Sequence, residues 1–127
     1  MHLVAKLLGL LVTIFFAVSA SAGSAPFNEA AFNKAVSSGE PVIVQFHATW
    51  CPTCKAQAPI VEQVLKEPKM KDVKLFVADF DTEKALKKSL KVSTQSTFVV
   101  FKGGKEVTRS TGQTSLNDIE ATFAKAL

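Results

Sequence analysis

The chain has 127 residues, a formal net charge of +4, 47% hydrophobic residues and 20% charged ones. That length suits one domain, and that composition excludes a disordered tail. The lysines from Lys55 to Lys105 are scattered among acids, without the dense clusters and interleaved aromatics of a nucleic-acid surface, so they read as a solvated face.

The first 22 residues differ in kind from the rest. Lys6 is the only charged residue before Glu29, Leu7 to Val18 is almost wholly apolar, and Ser19-Ala20-Ser21-Ala22-Gly23 follows. An apolar run of about 12 residues falls short of the roughly 20 that span a bilayer, and Ala20-Ser21-Ala22 fits the small-residue cleavage pattern. The expectation is a signal peptide over 1–22, cleaved near Ala22, and a single domain over 23–127 in the periplasm or another extracytoplasmic space, with no stable membrane insertion after cleavage. An uncleaved anchor is the alternative, and it leaves the domain on the same side.

Residues 23–26 read as a linker. Phe27, Ala30, Ala31, Ala35 and Val36 recur near helical spacing, with Asn28 as N-cap and Ser37-Ser38-Gly39 as the stop. After Glu40-Pro41 the run Val42 to Phe46 reads as a buried strand, with Ile43, Gln45 and His47 on one face and Val42, Val44 and Phe46 on the other. A second helix is expected from Pro52 or Thr53 through Lys66, with Pro59 inside it as a kink. Val73 to Phe80 is the next strand, Thr82 to Leu90 a helix capped by Asp81 or Thr82, and Thr97 to Lys102 another strand. Gly103-Gly104 marks a turn into a hairpin strand from Glu106 to Ser110. Ser115 caps a last helix that carries Leu116, Ile119, Phe123 and Leu127 on one face. The fold class is therefore α/β, a mixed sheet flanked by helices, with strands joined through a helix expected parallel and the Gly-Gly pair antiparallel.

The two cysteines, Cys51 and Cys54, lie at the strand-to-helix junction, three positions apart. A bridge across so short a loop restrains little of the unfolded chain and is a poor structural staple. One pair of cysteines, with His47 as the only histidine after residue 22, also falls short of a closed zinc site. Thiol-disulfide exchange, by contrast, needs a thiolate to attack and a second thiol close enough to resolve the mixed disulfide. At a helix start the unpaired N–H groups and the positive end of the helix dipole favour the anion. This assigns Cys51 as nucleophile and Cys54, one turn further in, as resolving thiol, with no cofactor beyond a redox-active Cys51–Cys54 disulfide. Pro52 suits a first helical turn and Thr53 adds a hydroxyl beside the sulfurs. Trp50 shields the disulfide or contacts substrate, or else packs at the strand end. Lys55 adds positive charge beside the pair or is simply solvated.

The residues Trp50-Cys51-Pro52-Thr53-Cys54-Lys55, then Ala58-Pro59-Ile60, Phe101-Lys102-Gly103-Gly104 and Gly112, resemble the thioredoxin family from about Phe32 to the C-terminus. The resemblance implies a central sheet flanked by helices, Cys51 exposed at a helix start, and a substrate groove formed by Ser96, Thr97 and Gly112. It also implies substrate proteins that carry disulfides. The Cys-Pro-Thr-Cys variant is similar to exported reductases of the cytochrome c maturation branch, which implies a membrane electron donor. The family's first strand has little room before helix one, so the sheet is expected to lack or shorten it.

Three departures stand out. Gln45 replaces the family's buried Asp and Val77 the Lys that partners it, a pair of losses that strands neither charge. His47, on the same strand face as Gln45, is a candidate to assist proton transfer at Cys54, or else fills space. Ser96 replaces a cis-proline, and a cis bond before Ser would cost ~3 to 4 kcal/mol, so Gln95-Ser96 is expected trans. In thioredoxins that proline is understood to keep metals off the cysteines, so Ser96 opens a route to metal binding. The leading expectation is an exported reductase of protein disulfides. The alternatives are a disulfide oxidase and a non-catalytic metal- or protein-binding module on the same fold.

Overall fold

A computed structural model describes residues 23–127, so the leader expected over 1–22 and its cleavage near Ala22 lie outside the described residues. In chain order the elements are β1 (Gly23–Pro26), α1 (Glu29–Ser37), β2 (Val42–His47), α2 (Pro52–Leu65), a short 3-10 turn (Pro68–Met70), β3 (Lys74–Asp79), α3 (Lys84–Leu90), β4 (Thr97–Lys102), β5 (Lys105–Thr111) and α4 (Leu116–Ala124). The five strands form one sheet in the order β1-β3-β2-β4-β5.

Local chemistry sets most of the boundaries. Asn28 Oδ1 accepts the Ala31 N–H at 2.9 Å and Ser115 Oγ accepts the Asp118 N–H at 3.1 Å, each satisfying an orphan donor of a first helical turn. The alternation along β2 divides the core as expected. Val42, Val44 and Phe46 pack with Phe76, Val99 and Phe101 under Phe32 and Ala35 of α1 and Leu86 of α3. Ile43 packs on the other face with Leu75, Phe98 and Val100 under Val61 and Val64 of α2 and Ile119 and Phe123 of α4. The sheet is thus a middle layer between two pairs of helices.

Three expectations are corrected. Residues 23–26 are not a linker: they pair parallel with β3, from Gly23 opposite Lys74 to Pro26 opposite Val77. The first strand is therefore present, shortened to four residues. Its composition hid it, because an edge strand is held by backbone bonds and needs no β-branched side chains. The helix after β3 starts at Lys84, and neither Asp81 nor Thr82 caps it. Their N–H groups are taken instead by Asp79 Oδ1, at 2.8 and 3.2 Å, which keeps this stretch in a turn. Finally, β2 and β3 are parallel across α2, but β4 runs antiparallel to β2 although a helix precedes it. Thr97 opens β4 opposite Phe46 near the end of β2, so the α3 segment leaves and re-enters the sheet at the same end. That return places the residues before β4 beside the start of α2.

Candidate active site

The end of β2 delivers the chain into a tight reversal in which the Cys51 N–H donates to Ala48 O at 3.2 Å. Cys51 remains extended (φ −91°, ψ 114°) and is the N-cap of α2, while Pro52, which has no N–H to leave unpaired, occupies the first helical turn. The Cys54 N–H donates to Cys51 Sγ at 3.1 Å, and the Lys55 N–H closes the first helical bond to Cys51 O at 3.1 Å. A sulfur therefore does at this helix what Asn28 and Ser115 do at theirs. The bond favours a sulfur carrying negative charge.

Both cysteines are free thiols in a small buried cluster with Ala48, against which Phe80 packs. The expected exposure of Cys51 is corrected here: the residue is 1% exposed, covered though shallow, and Cys54 is 0% exposed. Burial pushes the Cys51 thiol up, but hydrogen bonds with Cys54, with Ser96 and with the N–H groups of Cys54 and Thr53 outweigh it and hold Cys51 below the ordinary thiol value. Burial also pushes Cys54 up. The neighbouring Cys51 sulfur further favours its proton and outweighs the opposing pull of the Ser96 hydroxyl, so Cys54 remains a thiol where Cys51 ionises.

Ser96 meets the pair from the opposite side. Its Oγ lies 3.2 Å from Cys51 Sγ and 3.1 Å from Cys54 Sγ. The described residues contain no cis peptide bond, so Gln95-Ser96 is trans as expected. Ser96 has φ +62°, a left-handed conformation that costs a residue with a Cβ roughly 1 to 2 kcal/mol. Its backbone is held from three directions. The Ser96 N–H donates to Phe46 O at 2.9 Å, and Ser96 O accepts from the Gly112 N–H at 3.0 Å and from Gln57 Nε2 at 3.2 Å. Proline fits neither that dihedral nor that bond, so Ser96→Pro requires this loop to be rebuilt.

The remaining expected residues separate into two groups. Gly112, at φ +78°, lies beside Ser96 through its N–H bond, a conformation glycine takes without strain. Thr97 is buried, and its hydroxyl bonds Thr94 O at 2.7 Å and Thr111 Oγ1 at 2.8 Å, which fixes the start of β4. Trp50 is 56% exposed rather than packed, and its Nε1 donates to Asp81 Oδ2 at 2.8 Å. Pro52 is exposed and Thr53 half-buried at the open side of the pair. Gln45 and His47 line a separate cleft of about 150 Å³ with Ser24, Ala58, Glu62 and Val77, and Gln45 stands opposite Val77 between β2 and β3. The side chain in hydrogen-bond contact with Cys54 Sγ across the fold is Ser96.

Two contributors were not legible in the sequence. Gln57 is fully buried on α2 and its Nε2 also donates to Gln113 O at 2.8 Å, clamping the loops before β4 and after β5 to the cysteine helix. Asp81, read as a helix cap, instead anchors Trp50. A Gln inside an amphipathic helix carries no signal of burial, and Asp81 lies 31 positions from its partner. Among the described residues, no cluster of three or more His, Cys, Asp or Glu side chains is placed to hold a metal ion.

Comparison with known proteins matches this architecture. The family model described as Thioredoxin covers residues 23–125. Thioredoxin-2 of Saccharomyces cerevisiae is 37% identical over 82 residues, 64% of this chain and 77% of that protein. Thioredoxin of Mycobacterium tuberculosis is 36% identical over 77 residues, 61% of this chain and 66% of that protein. Among solved structures, Trxlp from Edwardsiella tarda EIB202 is 38% identical with a TM-score of 0.77, covering 80% of this chain and 98% of that one. With the family model spanning nearly all of the described residues and two thiols paired at the start of α2, the chain belongs to the thioredoxin family and is a thiol-disulfide oxidoreductase.

Proposed function

We propose that this oxidoreductase is an exported reductase of protein disulfides. The observation that carries the reading is the asymmetry of the pair: Cys51 accepts the Cys54 N–H and is held below the ordinary thiol range, while Cys54 is pushed above it. Such a pair has its nucleophile ready and its resolving thiol in reserve. The Cys51 thiolate attacks one sulfur of a substrate disulfide and expels the other. The sulfur of Cys54 then attacks Cys51 Sγ, releasing the reduced substrate and leaving a Cys51–Cys54 disulfide. Trp50, exposed beside the pair, and the backbone around Ser96 and Gly112 supply the surface for the substrate chain.

Export rests on residues 1–22, whose single charge, apolar run and terminal small residues have the make-up of a cleaved leader. An exported reductase has no access to cytoplasmic reductants, so its dithiol is restored by a membrane electron donor. No helix among the described residues is long and apolar enough to cross a membrane. N-terminal sequencing of the exported protein is expected to begin at Gly23, and a chain that begins at Met1 would refute cleavage.

An oxidase reading draws on the same hydrogen bonds, because whatever stabilises the thiolate also stabilises the reduced pair and raises its potential. Equilibration of the purified protein with a glutathione buffer separates the two. A potential near the roughly −270 mV of thioredoxin is expected, and one near the roughly −120 mV of a strong oxidant would reverse the direction.

A further inference from the structure

The hydroxyl of Ser96 is the one group on the opposing loop that reaches both sulfurs, and the backbone that carries it is strained. A serine at φ +62° holds a conformation that glycine takes freely, and bonds to Phe46, Gly112 and Gln57 pin it there. The fold thus retains a side chain where the backbone alone favours none, and its oxygen lies 3.2 Å and 3.1 Å from the sulfurs of Cys51 and Cys54.

Donor and acceptor counting fixes the direction of these bonds. A thiolate has no hydrogen to give, so toward ionised Cys51 the hydroxyl must be the donor. Its lone pairs remain free to accept from the Cys54 thiol. We propose that Ser96 is a catalytic residue of the exchange reaction, whose hydroxyl bridges the two sulfurs and stabilises the reduced pair. This inference rests on the dithiol-disulfide cycle set out above and holds for either direction of it.

The bridge also gives the resolving step a path for its proton. In the mixed disulfide, Cys54 must lose its proton as its sulfur bonds to Cys51 Sγ, and the substrate sulfur leaves with the electron pair of the broken bond. The Ser96 oxygen takes the Cys54 proton and passes its own to the departing sulfur, ending as the hydroxyl it began as. Gln45 cannot serve as that acceptor, because an amide does not titrate. Of the groups around Cys51, the one titratable partner that shifts it is Cys54. Ala48 and Phe80, packed against the pair, carry no charge, Asp81 is engaged by Trp50, and Lys55 is exposed.

Once the disulfide has formed there is no thiolate to receive the bond, so the hydroxyl favours the reduced state. Ser96→Ala and Ser96→Gly both remove it, the first keeping the Cβ at positive φ and the second relieving the strain. With each variant the pH midpoint of Cys51 alkylation by iodoacetamide is expected to rise by about one unit. The glutathione equilibrium is expected to move about tenfold toward the disulfide, which is about 30 mV toward a more reducing potential. Glycine is also expected to raise the melting temperature relative to alanine, although the two variants agree in redox behaviour. Unchanged titration and equilibrium in both variants, or redox shifts that follow the backbone strain and differ between Ala and Gly, would overturn the role of the hydroxyl. A parent protein that fails to equilibrate with glutathione at all would overturn the proposed cycle and this inference together.

Discussion

Phe98→Ala is expected to destabilise the protein by ~3 to 5 kcal/mol, the cost of deleting a fully buried aromatic side chain and leaving a cavity. Phe98 is 0% exposed in β4, paired on one side with Gln45 of β2 and on the other with Ser110 of β5. Its ring meets Phe123 of α4 edge to face, with centroids 5.0 Å apart and planes at 88°. An aromatic pair in that geometry adds to the loss of buried area. A domain of this size has about 5 to 15 kcal/mol to lose in all, so the change removes a large share of it. At about 4 °C or more per kcal/mol the melting temperature is expected to fall by well over 10 °C. The loss reaches the site as well, because Ser96 and Thr97 immediately precede Phe98 and depend on β4 for their position. Val107→Ala, at an exposed position of β5, is the control and is expected to change stability by less than about 0.5 kcal/mol. Thermal or urea unfolding of the two variants checks the difference, and equal midpoints would mean that Phe98 is not a keystone of this core.

Cys51→Ser is expected to abolish disulfide reduction, with a loss on the order of 10⁴-fold or more, as is usual when a nucleophile is removed. A serine hydroxyl at the same N-cap still accepts the Cys54 N–H, so α2 should remain capped and the fold intact. Its oxygen does not ionise at neutral pH, and the remaining thiol, Cys54, is deeper and pushed above the ordinary range. Cys54→Ser leaves the first attack intact and removes the second. It should therefore lose multiple turnover yet react once. Turnover of a reporter protein disulfide by the parent and both variants, with matched unfolding midpoints, separates loss of chemistry from loss of fold.

What the sequence made legible follows the range of the interactions. Asn28 and Ser115 cap their helices through bonds to residues three positions on, and β2 and β4 announce themselves by contiguous β-branched and aromatic side chains. The cysteines were recognisable because three positions of spacing at a strand-to-helix junction already imply their chemistry. By contrast, Gly23–Pro26 is a strand only because β3 offers it a partner across the sheet, and the orientation of β4 depends on where the chain re-enters that sheet. Ser96 drew notice as a departure from a familiar residue, but its contact with sulfurs 42 and 45 positions away is a product of tertiary structure. Gln57 left no trace in the pattern, since its partners at Ser96 and Gln113 lie 39 and 56 positions further along.

The most direct test is the capture of a mixed disulfide. Cys54→Ser and Cys51→Ser are each incubated, reduced, with insulin as a protein that carries disulfides. The products are digested without reductant and mapped by mass spectrometry. Cys54→Ser is expected to accumulate a stoichiometric adduct through Cys51 Sγ, released by dithiothreitol, while Cys51→Ser accumulates little or none. Equal capture by both variants, or capture through Cys54 alone, would contradict Cys51 as the nucleophile and Cys54 as the resolving thiol.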